Sequence, residues 1–409
     1  MINKHYAIIG GGINGLAVAR QLLLDFPESN VTVFEKEDGV AQHQSSHNSG
    51  VVHAGLYYEP GGLKARLCRR GAELVKQYCL ENNIAYDECG KVVVALNVVE
   101  EARLESIYQK ASANQVPGVR MLSAKEIKEV EPNCIGTKAL YSPRTAIVSY
   151  GDIAKKIAEE IKQKGGHIIL GKKVVRLTEK NNKVTVHLSG NHSDSSSNNE
   201  QHDNDFNQVI TCAGLQSDRL AAGSGDTETP RIVPFFGQYY VIDETYKAHV
   251  KGLIYPVPDP NYPFLGVHFT KRIDGQMTIG PNAFISLGRE NYSGKDYNVA
   301  DIYDFLTYKG FWKFSSKNMP AAMRELRTVL SQTNFVEQAA KYVPSLAKVS
   351  VTPATRGIRA QAMEADGSLV DDFVIRKQGN ITHIRNAPSP GATSSLAIAE
   401  YIVREVMTH

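Results

Sequence analysis

The chain has 409 residues, 42% of them hydrophobic and 22% charged, which is typical of a folded protein with one large or two closely joined domains. Lys plus Arg number 46 and Asp plus Glu 43, so the formal net charge is only +3. That balance excludes nucleic-acid binding through bulk positive charge. No run reaches the roughly 20 apolar residues that cross a bilayer. The apolar segment from Tyr6 is broken by three glycines and has no signal-cleavage pattern. We therefore expect a soluble protein of the cytoplasm.

Neither the cysteines nor the histidine-containing loop predicts a metal site. The five cysteines form no C-x-x-C pair and have no histidine at zinc-ligand spacing; they are Cys68, Cys79, Cys89, Cys134 and Cys212. This pattern favours buried, reduced thiols. His192 and His202 lie in the polar stretch 189–207, whose composition indicates a solvated loop instead of a metal-binding tract.

The first 35 residues predict a strand, a glycine turn, a helix and a second strand. Residues 6–9 are a short apolar run, a helix-forming segment extends from Ile13 to Pro27, and residues 31–34 are again apolar. Such a succession within about thirty residues is a βαβ unit.

The later elements alternate before a long β-rich segment. Helices are predicted at 71–82, within 118–132 and from an Asp152 N-cap to Gly165, and strands at 167–170, 174–177, 184–188 and 209–214. Residues 232–280 are β-rich, about 300–345 are helical, and the chain ends with strands at 373–375 and 381–384 and a helix from about Thr393. The order predicts a mixed α/β fold in which an antiparallel β domain is inserted between separated pieces of a nucleotide-binding core.

The glycine turn carries the first functional signal, Gly10-x-Gly12-x-x-Gly15. In such a turn the first glycine allows the tight bend, the second admits a pyrophosphate and the third lets the helix pack on its strand. Glu35 follows Gly15 by 20 residues at the end of the second strand, where a carboxylate accepts hydrogen bonds from ribose hydroxyls. Together they predict dinucleotide binding, and Glu35 disfavours the 2′-phosphate of NADP.

The stretch 44–55 (QSSHNSGVVHAG) is either a polar surface loop or a segment packed along an extended ligand. The chain here resembles the FAD-dependent oxidoreductases of the D-amino-acid oxidase and glycine oxidase superfamily. Within that superfamily, five blocks are similar to the L-2-hydroxyglutarate dehydrogenase/oxidase family: 47–71, 255–275, 280–283, 357–362 and 386–398. The resemblance extends from residue 6 to about 403, with the polar loop as the main unmatched stretch.

The resemblance implies a Rossmann-like FAD-binding domain of discontinuous segments, 1–80, 149–228 and 346–409, and a substrate domain of 81–148 and 229–345. It places Gly10, Gly12, Ile13 and Asn14 at the pyrophosphate, Glu35 at the ribose and Val174 at the adenine. It further implies cofactor contacts for Lys36, Gln44, Ser45, Asn48, Ser49, Gly50, Val51, Ala213, Gly214, Pro390, Gly391, Ala392 and Thr393. The last four begin the terminal helix, whose N-terminus stabilises negative charge on a reduced flavin.

For the substrate, the resemblance points to a base and a carboxylate-binding arginine. His53 lies in the flavin-proximal stretch and is placed to accept the hydroxyl proton as hydride leaves C2 for flavin N5; a purely structural histidine is the alternative. His268 is a second candidate for the base. Arg359 matches the arginine that grips a substrate carboxylate, for which a guanidinium offers two parallel hydrogen bonds; a structural salt bridge is the alternative.

One departure from the family affects substrate choice. Family members usually have Pro-Phe-Arg-Gly-Glu/Asp-Tyr where this chain has Pro-Phe-Phe-Gly-Gln-Tyr at 234–239. If the missing arginine holds the second carboxylate, substrate preference changes; if it is structural, nothing changes. We expect preference to survive, because Gln238, Tyr239 and Tyr255 retain hydrogen-bonding groups.

The sequence thus predicts an FAD-dependent oxidoreductase that converts L-2-hydroxyglutarate to 2-oxoglutarate. The alternatives are a related flavoenzyme acting on glycerol 3-phosphate or a small amino acid, and a flavin-binding electron-transfer subunit without its own substrate. The electron acceptor, quinone or oxygen, stays open, as does peripheral association with the inner membrane. No metal is expected.

Overall fold

The computed structural model describes residues 4–189, 204–227, 229–260, 266–319, 331–354 and 356–407. Most of the predicted polar loop at 189–207, including His192 and His202, lies outside these residues. All five cysteines lie within them and are free thiols; Cys68, Cys79 and Cys134 are buried as predicted, whereas Cys89 and Cys212 are half-buried.

The helices of the described residues are, in chain order, α1 (Ile13–Asp25), α2 (Leu63–Glu81), α3 (Val98–Ala113), α4 (Ala124–Val130), α5 (Tyr150–Gln163), α6 (Ser217–Gly223), α7 (Val299–Leu306), α8 (Lys309–Lys317), α9 (Gln332–Ala340) and α10 (Gly391–Tyr401). Short 3₁₀ turns occupy Gly214–Gln216, Glu244–His249 and Pro344–Leu346, and α10 continues as a π-helical turn, Ile402–Val406.

The strands are β1 (His5–Ile9), β2 (Asn30–Phe34), β3 (Val51–Val52), β4 (Tyr86–Asp87), β5 (Lys91–Ala95), β6 (Arg120–Ser123), β7 (Lys138–Ser142), β8 (Ala146–Val148), β9 (His167–Ile169), β10 (Val174–Lys180), β11 (Lys183–Leu188), β12 (Asp205–Phe206), β13 (Gln208–Thr211), β14 (Arg231–Gly237), β15 (Tyr240–Ile242), β16 (Leu253–Pro256), β17 (His268–Lys271), β18 (Met277–Gly280), β19 (Phe284–Ile285), β20 (Val351–Pro353), β21 (Gly357–Met363), β22 (Val374–Gln378) and β23 (Ile381–Asn386).

The chain forms two compact units. Met1–Ser46, Tyr150–Val233 and Ala360–His409 make the first unit, and His47–Ser149 and Pro234–Arg359 make the second. The units alternate along the chain and change over after residues 46, 149, 233 and 359. The boundaries expected from the sequence lie after residues 80, 148, 228 and 345. The division into FAD-binding and substrate domains stays a prediction.

The first unit is built on a six-stranded sheet in the order β22-β23-β13-β1-β2-β9. Every pairing is parallel except that of the edge strand β22. The apolar run 6–9 forms the central strand β1, and α1 packs against α5 and α10. An antiparallel meander, β10-β11-β12, adds Leu177, Val184 and Phe206 to a common core with Ala7 and Phe34. The arrangement confirms the predicted mixed α/β fold.

The second unit is built on an eight-stranded sheet in the order β20-β15-β18-β17-β16-β5-β7-β6, mostly antiparallel, with one parallel pair, β16 and β5. Alternation along β5 sends Val92 and Val94 into the core that contains Phe335 of α9. Val93 and Ala95 enter a second core with Leu104 of α3 and Tyr255. Lys91, two residues before Val93, therefore lies on the Tyr255 face of the strand.

The helix predicted within 118–132 is present as α4, which begins at Ala124 because Ser123 and Glu126 form a capping box, and β6 precedes it. Two other predicted helices were placed imprecisely. α2 begins at Leu63, eight residues before the predicted start, and Gly71 is a buried residue in its interior. Asp152 lies in the first turn of α5, not at its N-cap.

Candidate active site

The glycine turn of the first unit leaves no room for side chains at two of its three positions. Gly10 has φ +114°, and a Cβ there would lie 2.4 Å from the Cys212 carbonyl oxygen. A Cβ on Gly15 would lie 2.0 Å from the Gly10 carbonyl oxygen. At Gly12, by contrast, a Cβ would meet only Ser45 Oγ, at 3.3 Å. Gly10 and Gly15 are thus required by the fold itself, whereas Gly12 leaves its side of the turn open to a ligand.

Glu35 and Ser45 fix the backbone of this turn. Glu35 is 7% exposed; its Oε2 accepts a hydrogen bond from Gly11 N–H at 2.6 Å and its Oε1 one from Glu37 N–H at 3.0 Å. Ser45 Oγ accepts from the Ile13 N–H, the first of α1, at 2.9 Å. A carboxylate oxygen has two lone pairs, so Glu35 retains acceptor capacity for a ribose hydroxyl. The Lys36 ammonium, beside it, donates to the Glu37 carboxylate.

A cleft in the first unit brings several of the predicted cofactor residues together. Asn14, Gln44 and Gly214 line it, with Cys212, Ser217, Ile232, Ala360, Ile384, Arg385, Asn386 and Ala387. The Oδ1 atoms of Asn14 and Asn386 are buried without a hydrogen-bond partner among the described residues. A buried polar atom left unpaired is costly, so these amides fit a ligand that carries hydroxyl or amide donors.

The remaining cofactor candidates of the first unit lie at element ends. Pro390 precedes α10, which begins at Gly391 and Ala392, and the Thr393 hydroxyl is hydrogen-bonded to Tyr150 Oη at 2.8 Å. The hydroxyls of the next two residues, Ser394 and Ser395, are buried without a partner in the described structure. Val174 begins β10, and Ala213 precedes the 3₁₀ turn at Gly214.

Four cofactor candidates belong to the second unit instead. Asn48 Oδ1 accepts from Gly50 N–H at 2.8 Å. Gly50 has φ +73°, and a Cβ there would lie only 2.6 Å from the Val148 carbonyl oxygen. Val51 pairs with Ile147 in a short antiparallel sheet, and Ser49 is hydrogen-bonded to the Tyr239 side chain. These contacts hold the 48–51 backbone in one conformation.

The same unit contains both candidate bases. His268 is 5% exposed on β17; its Nδ1 lies 2.8 Å from the Gly266 carbonyl oxygen, and its ring stacks on Tyr255 with 3.9 Å between centroids. Burial lowers the pKa of His268 to about 3, the hydrogen bond to Gly266 opposes the shift, and the Arg359 and Lys91 charges add to it. Burial and the positive charge of Lys91 likewise lower the pKa of His53 to about 3. Both imidazoles are therefore neutral at physiological pH.

Lys91 is a member of this cluster that sequence reasoning missed. It is 1% exposed, and its Nζ lies 4.9 Å from the ring centroids of both Tyr57 and Tyr255. Burial lowers the pKa of its ammonium to about 7. In the sequence, Lys91 begins the apolar run KVVVA. A lysine in this position is also typical of a strand that ends at the protein surface, so the sequence did not distinguish a buried lysine from an exposed one.

Arg359 and Tyr239 complete the set of predicted substrate residues in the second unit. Arg359 lies half-buried on β21, and its charge lowers the pKa of His268 and opposes the burial that raises the pKa of Tyr239. Burial also raises the pKa of Tyr255. His53, His268, Tyr239, Tyr255 and Arg359 thus lie in one electrostatically coupled group.

Gln238 is held by partners inside the protein. Its Nε2 donates to the carbonyl oxygens of Tyr239 and Ala354, each at 2.7 Å, and its Oε1 accepts from Arg356 Nε at 2.8 Å. The Arg356 guanidinium also lies 4.5 Å from the ring centroid of Phe236. Phe236 and Gln238, which the family resemblance marks as departures, are therefore both contacted by an arginine from a distant part of the sequence.

Comparison with known proteins identifies the family. The sequence pattern of the FAD dependent oxidoreductases matches residues 5–405. The chain belongs to this family. It is 44% identical over 411 residues to the mitochondrial L-2-hydroxyglutarate dehydrogenase of Nematostella vectensis, covering 98% of this chain and 90% of the relative. It is 41% identical to the mitochondrial enzyme of that name from Homo sapiens, covering 98% and 88%, and 39% identical to the L-2-hydroxyglutarate dehydrogenase of Salmonella houtenae, covering 98% and 92%.

Solved structures agree with the family fold. The dithionite-reduced L-alpha-glycerophosphate oxidase of Mycoplasma pneumoniae with FAD bound superimposes with a TM-score of 0.76 at 22% identity, covering 99% of this chain and 94% of that one. Glycine oxidase of Geobacillus kaustophilus gives a TM-score of 0.70 at 16% identity, covering 99% and 95%.

The cofactor of this FAD dependent oxidoreductase is FAD, and the first unit fits it. Gly12 leaves the turn open, Glu35 retains acceptor capacity, and the cleft presents unpaired amide oxygens at Asn14 and Asn386. The first unit therefore offers a glycine turn and an acid that suit a dinucleotide, and unpaired polar atoms that suit a ligand with hydrogen-bond donors. Within the described residues, no helix is long and apolar enough to cross a membrane.

Proposed function

We propose that the chain oxidises L-2-hydroxyglutarate to 2-oxoglutarate. Relatives that carry this activity in their names are 39–44% identical over 98% of the chain. The observation that carries the proposal is the group in the second unit, where two neutral imidazoles share their surroundings with Arg359 and Lys91. Such a group combines a proton acceptor with positive charge for an anionic hydroxy acid.

In this reaction the substrate loses a hydride from C2 and a proton from its hydroxyl, and the C–O bond becomes a carbonyl. FAD, when bound, supplies the acceptor for the hydride. Burial keeps the ring of His53 neutral, and the neutral ring accepts the hydroxyl proton. Arg359 binds the carboxylate adjacent to C2 through its planar fork and so orients the reacting carbon.

His268 is a second candidate for the base, and one observation favours it. A carbonyl oxygen only accepts, so the contact with Gly266 requires the proton on Nδ1 and leaves the lone pair on Nε2. That nitrogen is ready to accept a proton without a change of tautomer.

The test is anaerobic reduction of the purified yellow protein. L-2-hydroxyglutarate should bleach the flavin absorbance, whereas its D enantiomer, glycerol 3-phosphate and glycine should bleach it far more slowly. Bleaching by glycerol 3-phosphate or glycine instead would assign the alternative substrates, and no bleaching by any of them would support an electron-transfer subunit.

The proposal extends to location and electron acceptor. We propose a cytoplasmic enzyme that passes its electrons to a quinone or to oxygen; the animal relatives are named mitochondrial, and that of Salmonella houtenae is not. Oxygen consumption under air, compared with reduction of a soluble quinone under nitrogen, separates the two acceptors. Cell fractionation tests the location, including peripheral association with a membrane.

A further inference from the structure

A dicarboxylate substrate presents two anionic groups, and the proposed function assigns a partner to only one of them. Arg359 is assigned to the carboxylate beside C2. The family's arginine in the 234–239 stretch is replaced by Phe236, and the side-chain donors of Gln238 are used by two backbone carbonyls. The partner of the distal carboxylate must therefore be sought elsewhere in the second unit.

Lys91 is a buried cation without a counter-ion in the described structure. No described carboxylate forms an ion pair with it and no described residue accepts a hydrogen bond from its Nζ; its neighbours are the faces of the Tyr57 and Tyr255 rings. Ring faces attract a cation but do not replace the hydrogen bonds that the ammonium loses on leaving water. A buried charge held in this way is stabilised when an anion arrives.

The position of Lys91 in the sheet places it beside the proposed reaction centre. β5, β16 and β17 are adjacent strands, and they carry Lys91, Tyr255 and His268 respectively. The Tyr255 ring stacks on the imidazole of His268, and its centroid lies 4.9 Å from the Nζ of Lys91. The three side chains therefore form a continuous group across three strands.

Two further observations indicate which kind of ligand the group around Lys91 would bind. The hydroxyl of Tyr57, the residue whose ring centroid lies 4.9 Å from Lys91 Nζ, is buried without a hydrogen-bond partner among the described residues. Around His53 and His268 the charges that act on the rings are those of Lys91, Lys64 and Arg359, and no described Asp or Glu contributes. A group rich in cations and donors, in which the described charges that act on the imidazoles are all positive, is complementary to an anionic ligand with more than one charge.

We propose that the Lys91 ammonium binds the distal carboxylate of the substrate, with the Tyr57 hydroxyl as a second donor. The proposal rests on the proposed function and deepens it, because it makes Lys91 the residue that selects a dicarboxylate over a monocarboxylate 2-hydroxy acid. It also explains how the chain retains a dicarboxylate site without the arginine that is usual in the 234–239 stretch.

The kinetic test compares two substrates that differ only in the distal carboxylate, L-2-hydroxyglutarate and L-2-hydroxybutyrate. Lys91→Met should raise KM for L-2-hydroxyglutarate by about 10- to 100-fold, the loss expected for a charge-assisted hydrogen bond. The ratio of the two KM values isolates the distal carboxylate, because any effect of Lys91 on the pKa of His53 and His268 acts on both substrates alike. An equal rise of KM with both substrates would show that Lys91 acts only on the histidines and would overturn the proposal.

Lys76→Met is the matched control. Lys76 also contacts a tyrosine ring, with its Nζ 6.0 Å from the Tyr86 centroid in the same unit, but it is paired with Glu88 at 2.7 Å. Its replacement should leave the ratio of the two KM values unchanged. A change in that ratio equal to that of Lys91→Met would contradict a specific role for Lys91.

Equilibrium binding supplies a readout that is independent of turnover. Calorimetry of the FAD-loaded protein measures the binding affinity of each variant. Lys91→Met and Lys91→Gln should lower the affinity for 2-oxoglutarate by about 10-fold or more and leave the affinity for 2-oxobutyrate unchanged. Unchanged 2-oxoglutarate binding in both variants would overturn the proposal. If L-2-hydroxyglutarate does not reduce the wild-type flavin, the proposed function fails. A comparison of the affinities for glutarate and butyrate, in wild type and Lys91→Met, then still decides whether Lys91 binds a second carboxylate. Lys91→Met removes a buried charge and should fold at least as stably as wild type; Lys91→Gln preserves the test if it does not.

Discussion

The ring of His268 is held in one tautomer by the carbonyl group of Gly266. The Nδ1–O distance is 2.8 Å, and the carbonyl can only accept, so Nδ1 carries the proton. Stacking on Tyr255, with 3.9 Å between centroids, fixes the plane of the ring. Together with a pKa of about 3, these contacts make Nε2 an unprotonated acceptor at all physiological pH values.

The first prediction separates the two candidate bases. His53→Ala should lower the rate of flavin reduction by L-2-hydroxyglutarate about 10²- to 10⁴-fold, the contribution of a positioned general base, while FAD content stays near wild type. Stopped-flow absorbance under nitrogen measures the rate. If His53→Ala reacts at the wild-type rate and His268→Asn does not, the base is His268.

The second prediction concerns stability at low pH. The pKa of His268 is about 3 in the folded chain and 6.5 in its ordinary state, so between these values the unfolded chain binds more protons. Stability should therefore fall as the pH falls below 6.5. His268→Asn keeps a donor at the Nδ1 position but cannot titrate. It should therefore reduce the slope of the unfolding free energy against pH by up to about 1.4 kcal/mol per pH unit. Urea unfolding from about pH 6.5 down to about pH 5 measures it, and equal slopes in the two proteins would contradict the assignment.

The third prediction uses the different surroundings of the motif glycines. Gly12→Val should fold and yet lose FAD, because a Cβ at Gly12 meets only Ser45 Oγ at 3.3 Å while the larger side chain occupies the open side of the turn. Gly15→Ala should destabilise the apoprotein, since its Cβ would lie 2.0 Å from the Gly10 carbonyl oxygen. Released flavin and circular dichroism are the measurements. A fully yellow Gly12→Val protein would contradict the placement of the pyrophosphate.

The fourth prediction concerns the carboxylate beside C2. Arg359→Lys keeps the charge but loses the planar fork, so kcat/KM for L-2-hydroxyglutarate should fall at least about tenfold. L-2-hydroxybutyrate shares this carboxylate and should lose a similar factor, in contrast to the effect expected for Lys91→Met. A loss confined to L-2-hydroxyglutarate would place Arg359 at the distal carboxylate instead.

The sequence predicted those parts of the fold and site that depend on local rules. The need for glycine at positions 10 and 15 depends on steric limits within one turn, and the strand at 6–9 depends on its own apolar pattern. Both could therefore be predicted from the sequence. The role of Lys91 could not be predicted, because its surroundings are formed by Tyr57 and Tyr255 from other segments of the chain. A buried charge and an exposed strand end look alike in sequence until the neighbouring strands are known.

Phe236 and Gln238, where the family resemblance leads us to expect an arginine and an acid, show the same limit. From the sequence, their effect on substrate preference stayed open. The structure shows that Arg356, more than a hundred residues away in sequence, contacts both Phe236 and Gln238. Only the pairing of distant segments reveals this cationic neighbour.

The last prediction therefore concerns Gln238, whose substitution should change stability without changing substrate choice. Its Nε2 donates to the carbonyl oxygens of Tyr239 and Ala354, and its Oε1 accepts from Arg356, so Gln238→Ala leaves these groups unpaired. The expected cost is about 1–3 kcal/mol in the free energy of unfolding. The preference for L-2-hydroxyglutarate over L-2-hydroxybutyrate should stay within about twofold of wild type, because both donors of Gln238 are already used inside the protein.

Gln276→Ala, at an exposed position, is the control for this prediction and should change stability by less than about 0.5 kcal/mol. Urea unfolding measures the stability of both variants, and flavin reduction by the two hydroxy acids measures the preference. A loss of preference in Gln238→Ala with unchanged stability would instead make Gln238 a direct substrate ligand. That result would also place Gln238 beside Lys91 as a partner of the distal carboxylate, because the donors of Gln238 would then reach the substrate.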